Sequence, residues 1–77
     1  MNKTQRKKLE DIVENIYVIK GDIEELKESE EESFSNLPEN LQEDDRGLQL
    51  ETNVESLESA VGLLDELENL LQELIGE

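Results

Sequence analysis

The residues of this 77-residue chain with the most chemical potential are its carboxylates. Twenty-two aspartates and glutamates stand against seven lysines and arginines, and there is no histidine or cysteine. Carboxylates can hold a hard cation, act as an acid–base pair, or present fixed negative charge. The first role needs a loop that converges oxygens, and Gln42-Glu43-Asp44-Asp45-Arg46-Gly47 superficially resembles a calcium loop. With Gly47 at the glycine position of such a loop, Gln42, Arg46 and Asn53 fall where acids are required, and the match fails. Zinc, copper and histidine-containing di-iron sites have none of their usual ligands. No metal site and no cofactor are expected.

Acid–base chemistry fares no better. A glycosidase-like pair needs a cleft with one buried acid of raised pKa, and the acids here recur at solvent positions of long helices. Ser29, Ser33, Ser35, Ser56 and Ser59 have no histidine to activate them. There is no glycine-rich phosphate loop. The expectation is a protein that is not an enzyme, and fixed charge is the role left to the carboxylates.

That charge is unevenly spread. Lys3, Arg6, Lys7 and Lys8 lie in the first eight positions; from Leu9 onward only Lys20, Lys27 and Arg46 oppose all 22 acids. The formal net charge is −15, which repels nucleic acid and anionic membranes. Neither direct nucleic-acid binding nor membrane association is expected. No stretch approaches the ~18 apolar residues of a membrane span. The basic start is not followed by a hydrophobic run, so it does not read as a signal peptide, and the default location is the cytoplasm. Without cysteine no disulfide can help. Only Tyr17 and Phe34 are aromatic, so a core must come from leucine, isoleucine and valine. A chain this short makes one domain, 1–77, near the lower limit for folding without a staple. Small helical proteins of this kind often complete their core by oligomerising.

The apolar residues are patterned at helical spacing, which sets the chain apart from a disordered acidic segment. A first helix is expected over about 4–33, with Leu9, Ile16 and Ile23 at heptad position a and Ile12, Ile19 and Leu26 at d. Gly21 lies on the far side of that stripe, so one helix should run through it. Basic residues oppose the dipole at a helix start, which leaves Asn2–Lys8 to fray or to grip the acids of 63–77. Phe34-Ser35-Asn36-Leu37-Pro38-Glu39-Asn40-Leu41-Gln42 is the one stretch with turn grammar. It should form a hinge over 34–43, with Pro38 opening a short turn and Phe34, Leu37 and Leu41 capping the helix pair. A second helix is expected over about 44–75, capped by Asp44 or Asp45. It has Leu50, Leu57, Leu64 and Leu71 at a, Ala60, Leu67 and Leu74 at d, Val54, Val61 and Ile75 at e, and Leu63 and Leu70 at g.

The fold class is therefore all-α: an antiparallel two-helix hairpin with a short capping turn. Its pairing should set Ile23 near Leu57, Ile16 near Leu64 and Leu9 near Leu71. The second helix is apolar over a, d, e and g, more than one partner helix can cover. A second copy would bury the surplus in a four-helix bundle, a homodimer of two hairpins. The self-association residues are Leu57, Val61, Leu63, Leu64, Leu67, Leu70, Leu71 and Leu74.

Gln5-Arg6-Lys7-Lys8-Leu9, the Asn36-Leu37-Pro38-Glu39-Asn40-Leu41-Gln42 hinge and Arg46-Gly47 carry a resemblance. The chain is similar to a set of short acidic helical proteins of phages and mobile elements of Gram-positive bacteria. It departs from them in being leucine-rich from Leu63 on, where they are richer in alanine. The resemblance implies a host-cytoplasmic protein of the anti-defence type, an acidic inhibitor or adaptor occupying a basic surface of a host defence or nucleic-acid-binding protein. Charge density fits such DNA mimicry. A duplex ~46 Å long, the length of a 31-residue helix at ~1.5 Å per residue, carries roughly 27 charges, and a dimer of this chain carries −30. The candidate partner-binding residues are Glu30, Glu31, Glu32, Glu51, Glu55, Glu58, Asp65, Glu66, Glu68 and Glu73. The alternative is a self-assembling structural helical module whose charge serves only solubility.

Overall fold

A computed structural model describes residues 1–76. Three helices follow one another: α1 over Lys3–Ser35, α2 over Glu39–Gln42 and α3 over Asp45–Gly76. The chain is all-α, with no strand among the described residues. It is a rod of 58 × 15 × 13 Å, one helix pair thick. α1 and α3 lie side by side and run in opposite directions. Lys20 reaches across to Asp65 and Glu68, and Glu30, further along α1, meets the earlier residue Asn53.

α1 starts cleanly in spite of its basic first turn. The Asn2 side chain accepts from the Gln5 amide at 2.8 Å, and the Gln5 side chain accepts from the Asn2 amide at 3.0 Å. This reciprocal box satisfies amides that the helix leaves free. The helix passes through Gly21 unbroken and runs two residues beyond the expected end, to Ser35. There it stops because Pro38 disfavours a helical Leu37 and has no amide to donate.

The hinge has a specific physical content. Pro38 sits at the cap position with φ −56° and ψ 147°, one residue ahead of α2, rather than as its first residue. The Gln42 side chain turns back, and its Nε2 donates to the Leu37 carbonyl at 3.0 Å and to that of Phe34 at 3.4 Å. It thereby occupies carbonyls at the end of α1. Asp44 caps α3, accepting from the amides of Arg46 at 2.9 Å and Gly47 at 3.3 Å. Gly47 is buried, and a Cβ on it would drive into the Gln42 backbone. Phe34, Leu37 and Leu41 are half-buried over this end, the cap that their spacing predicts.

Two details of the seam differ from the expectation. Along α1 the buried line is Leu9, Val13 and Ile16, continued by half-buried Lys20, Ile23, Lys27, Glu30 and Phe34. Ile12, Ile19 and Leu26, expected to face α3, lie outside. The reason is angular. At ~3.6 residues per turn the positions three and four residues after Leu9 flank it on opposite sides, and one neighbour covers only one flank. The pairing is also displaced by about one turn: Lys20 lies level with Asp65, where Ile16 had been expected beside Leu64. The close approach of Gly47 to Gln42 seats the start of α3 beyond the end of α1. At the other end the first turns of α1 overhang α3, so a groove there is lined by Met1, Gln5, Lys8, Leu9 and Ile12 alone.

Glycine substitutions separate these roles. Gly62→Ala, whose Cβ would meet nothing within 4 Å, should stabilise the protein by about 1 kcal/mol through helix propensity. Gly47→Ala should instead lower the melting temperature followed by circular dichroism, because α3 must shift off α2.

Candidate functional site

The fold positions charge and apolar surface separately. Lys20 emerges from α1 between Ile16 and Ile23 on the flank that meets α3, and its stem is largely covered, with only 18 % of the side chain exposed. Its Nζ donates to Asp65 Oδ1 at 2.7 Å and to Glu68 Oε2 at 3.3 Å, and lies 5.8 Å from the centre of the Tyr17 ring. The hydrogen bond that Lys20 donates to Asp65 raises its pKa above the ordinary value, against the opposing pull of partial burial, and the one it donates to Glu68 adds to the rise. This cross-helix pairing is what the sequence reading did not anticipate. The available signal was a single lysine on an otherwise aliphatic line facing a row of acids.

Elsewhere among the described residues the carboxylates other than Glu30 are exposed. Lys7 pairs with Asp11 at 3.2 Å and Lys27 with Glu31 at 3.8 Å, both within α1. The basic start therefore does not grip the described acids of α3, because α1 overhangs them; Glu77, the last acid of 63–77, lies outside the described residues. Among the described residues, Asp11, Glu31, Asp65 and Glu68 are ion-paired; the other seventeen of 21 carboxylates are not. Of the candidate contact residues, Glu32, Glu51, Glu55, Glu58, Glu66 and Glu73 are exposed and unpaired. Glu30 is half-buried and accepts from Asn53 Nδ2 at 2.9 Å. Asp65 and Glu68 are committed to Lys20. No group of three acids among the described residues is arranged to hold a metal ion, and no helix is long and apolar enough to cross a membrane.

The residues proposed for self-association fall into two sets. Leu57, Val61, Leu64 and Leu71 are half-buried along the line that meets α1 inside one chain. Leu63, Leu67, Leu70 and Leu74 are 41–66 % exposed and form a stripe of their own at spacings of four, three and four. On α1, Ile12, Ile19 and Leu26 are 41–58 % exposed at intervals of seven. Both stripes lie on the same broad side of the hairpin. A shallow groove joins Leu26 to Asn53 and Ser56. Asn53 stands two heptads before Leu67, and Ser56 stands one heptad before Leu63. The more aliphatic flank of each helix thus faces outward, together. No family model, curated protein or solved structure matches the chain.

A pH titration isolates the Lys20 pair. A raised pKa in the folded state means that the pair contributes stability below the ordinary lysine value of 10.5 and that this is lost as pH rises through the folded value. Lys20→Met should melt below the parent at neutral pH. The gap between the two proteins should close in alkaline solution above 10.5.

Proposed function

We propose that this chain is a non-enzymatic protein-binding module: two hairpins joined as a four-helix bundle, whose carboxylate rows occupy a basic surface of another protein. The single observation that carries this reading is the set of fourteen carboxylates without an ion pair on the two long helices. Rigid rows keep their spacing as a cationic cleft approaches, so little order has to be imposed on binding. The long-range field speeds encounter with such a cleft. A cleft shaped for nucleic acid is the natural complement, because it is built to receive closely spaced negative charge. The resemblance to short acidic proteins of phages and mobile elements favours a host-encoded target, a nuclease or another nucleic-acid-binding defence protein, in the host cytoplasm.

A second reading has its own observation. The outward stripes on α1 and α3 suit a self-assembling structural module in which charge serves only solubility. Salt distinguishes the two. Between 0.1 and 1 M the screening length falls from about 10 Å to about 3 Å. Affinity for a captured bacterial partner should then fall by roughly tenfold or more. Glu51→Lys/Glu55→Lys/Glu58→Lys should abolish capture at low salt while leaving the helical signal intact. Association of the chain with itself should tighten with salt, because screening relieves repulsion between two chains of charge −15 without weakening an apolar contact. A partner that stays bound in 1 M salt and tolerates the charge reversals overturns the acidic-surface reading.

A further inference from the structure

The dimer invoked above leaves open which ends of the two hairpins meet. We infer that the second copy lies antiparallel on the face bearing Ile19 and Leu67, with the two hinges at opposite ends of the bundle. This inference rests on the dimer reading and deepens it.

Area identifies a partner of matching size. A compact monomer of 8.8 kDa would expose about 4,800 Å². This chain exposes 5858 Å², an excess of roughly 1,100 Å², comparable with the ~800 Å² that one partner contributes to a stable interface. The two exposed stripes, Ile12–Ile19–Leu26 and Leu63–Leu67–Leu70–Leu74, supply apolar area on one side for such a contact. That side is 58 Å long and 15 Å wide, large enough for the whole contact.

The pattern on that face selects the second copy and its direction. Lys20 is level with Asp65, so Ile19 and Leu67 lie within one residue of the same level, close to the middle of α1 and of the rod. Turned end for end about that level, α1 lies over the second α1 and α3 over the second α3. Ile12 then meets Leu26, seven residues to either side of Ile19, and Leu63 meets Leu70. Asn15 and Asp22, four residues before and three after Ile19, come within one residue's rise (~1.5 Å) of the same level, so polar positions lie beside polar positions. In the opposite arrangement, with both hinges at one end, α1 lies over α3 of the second copy. Asp22 and Asn15 would then press against Leu63 and Leu70, and charged and amide groups would be desolvated without partners.

Charge points the same way. Residues 19–65, the hinge half of the rod, carry fifteen carboxylates against Lys20, Lys27 and Arg46. The described residues of the open half, 1–18 and 66–76, carry six against Lys3, Arg6, Lys7 and Lys8. Stacking hinge on hinge would set a charge of −12 on another of −12, whereas antiparallel stacking sets −12 on −2. It also brings Lys8, which borders the apolar face, to the level of Ser29 and Glu30 of the second copy.

Single-cysteine variants test the direction, since the chain has no cysteine of its own. Ile12→Cys, Leu26→Cys and Leu74→Cys proteins are mixed pairwise and treated with a bis-maleimide whose reach is about one helix diameter (~10 Å). Products are read by mass. The antiparallel bundle should cross-link the Ile12→Cys and Leu26→Cys proteins at least fivefold more than Ile12→Cys and Leu74→Cys; Ile19→Cys alone should cross-link to itself near the two-fold axis. Retained helicity and native mass of each variant confirm that its fold and assembly are intact. A dimer that prefers the Ile12–Leu74 pair, or that yields neither product, overturns the antiparallel arrangement and leaves the dimer standing. A parent chain that sediments as 8.8 kDa at every concentration and salt overturns the dimer itself.

Discussion

A helix that is apolar over more than a third of its circumference cannot be satisfied by one neighbour, and both long helices here have that character. Each places its central apolar line and one flank against the other and leaves the second flank in water. Among the described residues of a single chain Leu9, Val13 and Ile16 are the only buried hydrophobic side chains, and no side chain is fully enclosed. Seven large aliphatic side chains of α1 and α3 remain exposed on one side. Burying a leucine or isoleucine fully is worth about 1.5–3 kcal/mol, so the uncovered face withholds on the order of 10 kcal/mol. That is the scale of a whole domain's net stability. The assembly of the protein depends on how this deficit is met.

Electrostatics explains which flank turned inward. The inner flank of α1 carries Val13 and Phe34, and also Lys20 and Lys27, two of the three basic residues beyond the first eight positions. A lysine can lay its stem along a seam and keep its ammonium at the edge. Lys20 does so and gains Asp65 and Glu68 from the facing helix. Had the Ile12–Ile19–Leu26 flank turned inward, Lys20 would be directed away from α3, whose acids would then lack a cation. The inward face is thus the one that reduces repulsion between two acidic helices. The outward face carries mainly aliphatic side chains and can be covered by another surface of its own kind.

Much of this was legible in the sequence, and the parts that were not share a cause. Period alone located both helices and the central lines through Leu9–Ile16–Ile23 and Leu50–Leu57–Leu64–Leu71. Turn chemistry located the hinge and its cap. Period alone cannot choose between flanks separated by one residue, so Ile12, Ile19 and Leu26 were assigned to the seam and Val13 and Lys20 were not. For the same reason Leu57 and Leu64, which meet α1, were grouped with Leu63 and Leu70, which do not. The pairing level is set by a contact between elements: Gly47 against the Gln42 backbone. From sequence Gly47 had the meaning of a failed calcium loop and of one half of the Arg46-Gly47 pair in the resemblance, neither of which concerns packing. A glycine three residues after a capping aspartate, at a position with no positive φ, marks close approach of backbone to backbone, and that was the available signal.

The direction of assembly and the use of the surface are connected. One chain concentrates its charge toward the hinge, so two chains stacked hinge on hinge would be a rod with one intensely acidic end and one nearly neutral end. Two chains stacked end for end average the difference and spread −30 along 58 Å. A duplex of that length carries about 34 charges at one per ~1.7 Å. An even line of charge at near-duplex density is what a nucleic-acid cleft meets along its whole length, whereas a lopsided rod would match it over half. The antiparallel packing inferred above therefore also gives the surface its most duplex-like form, so the placement of polar groups and charge presentation favour the same geometry.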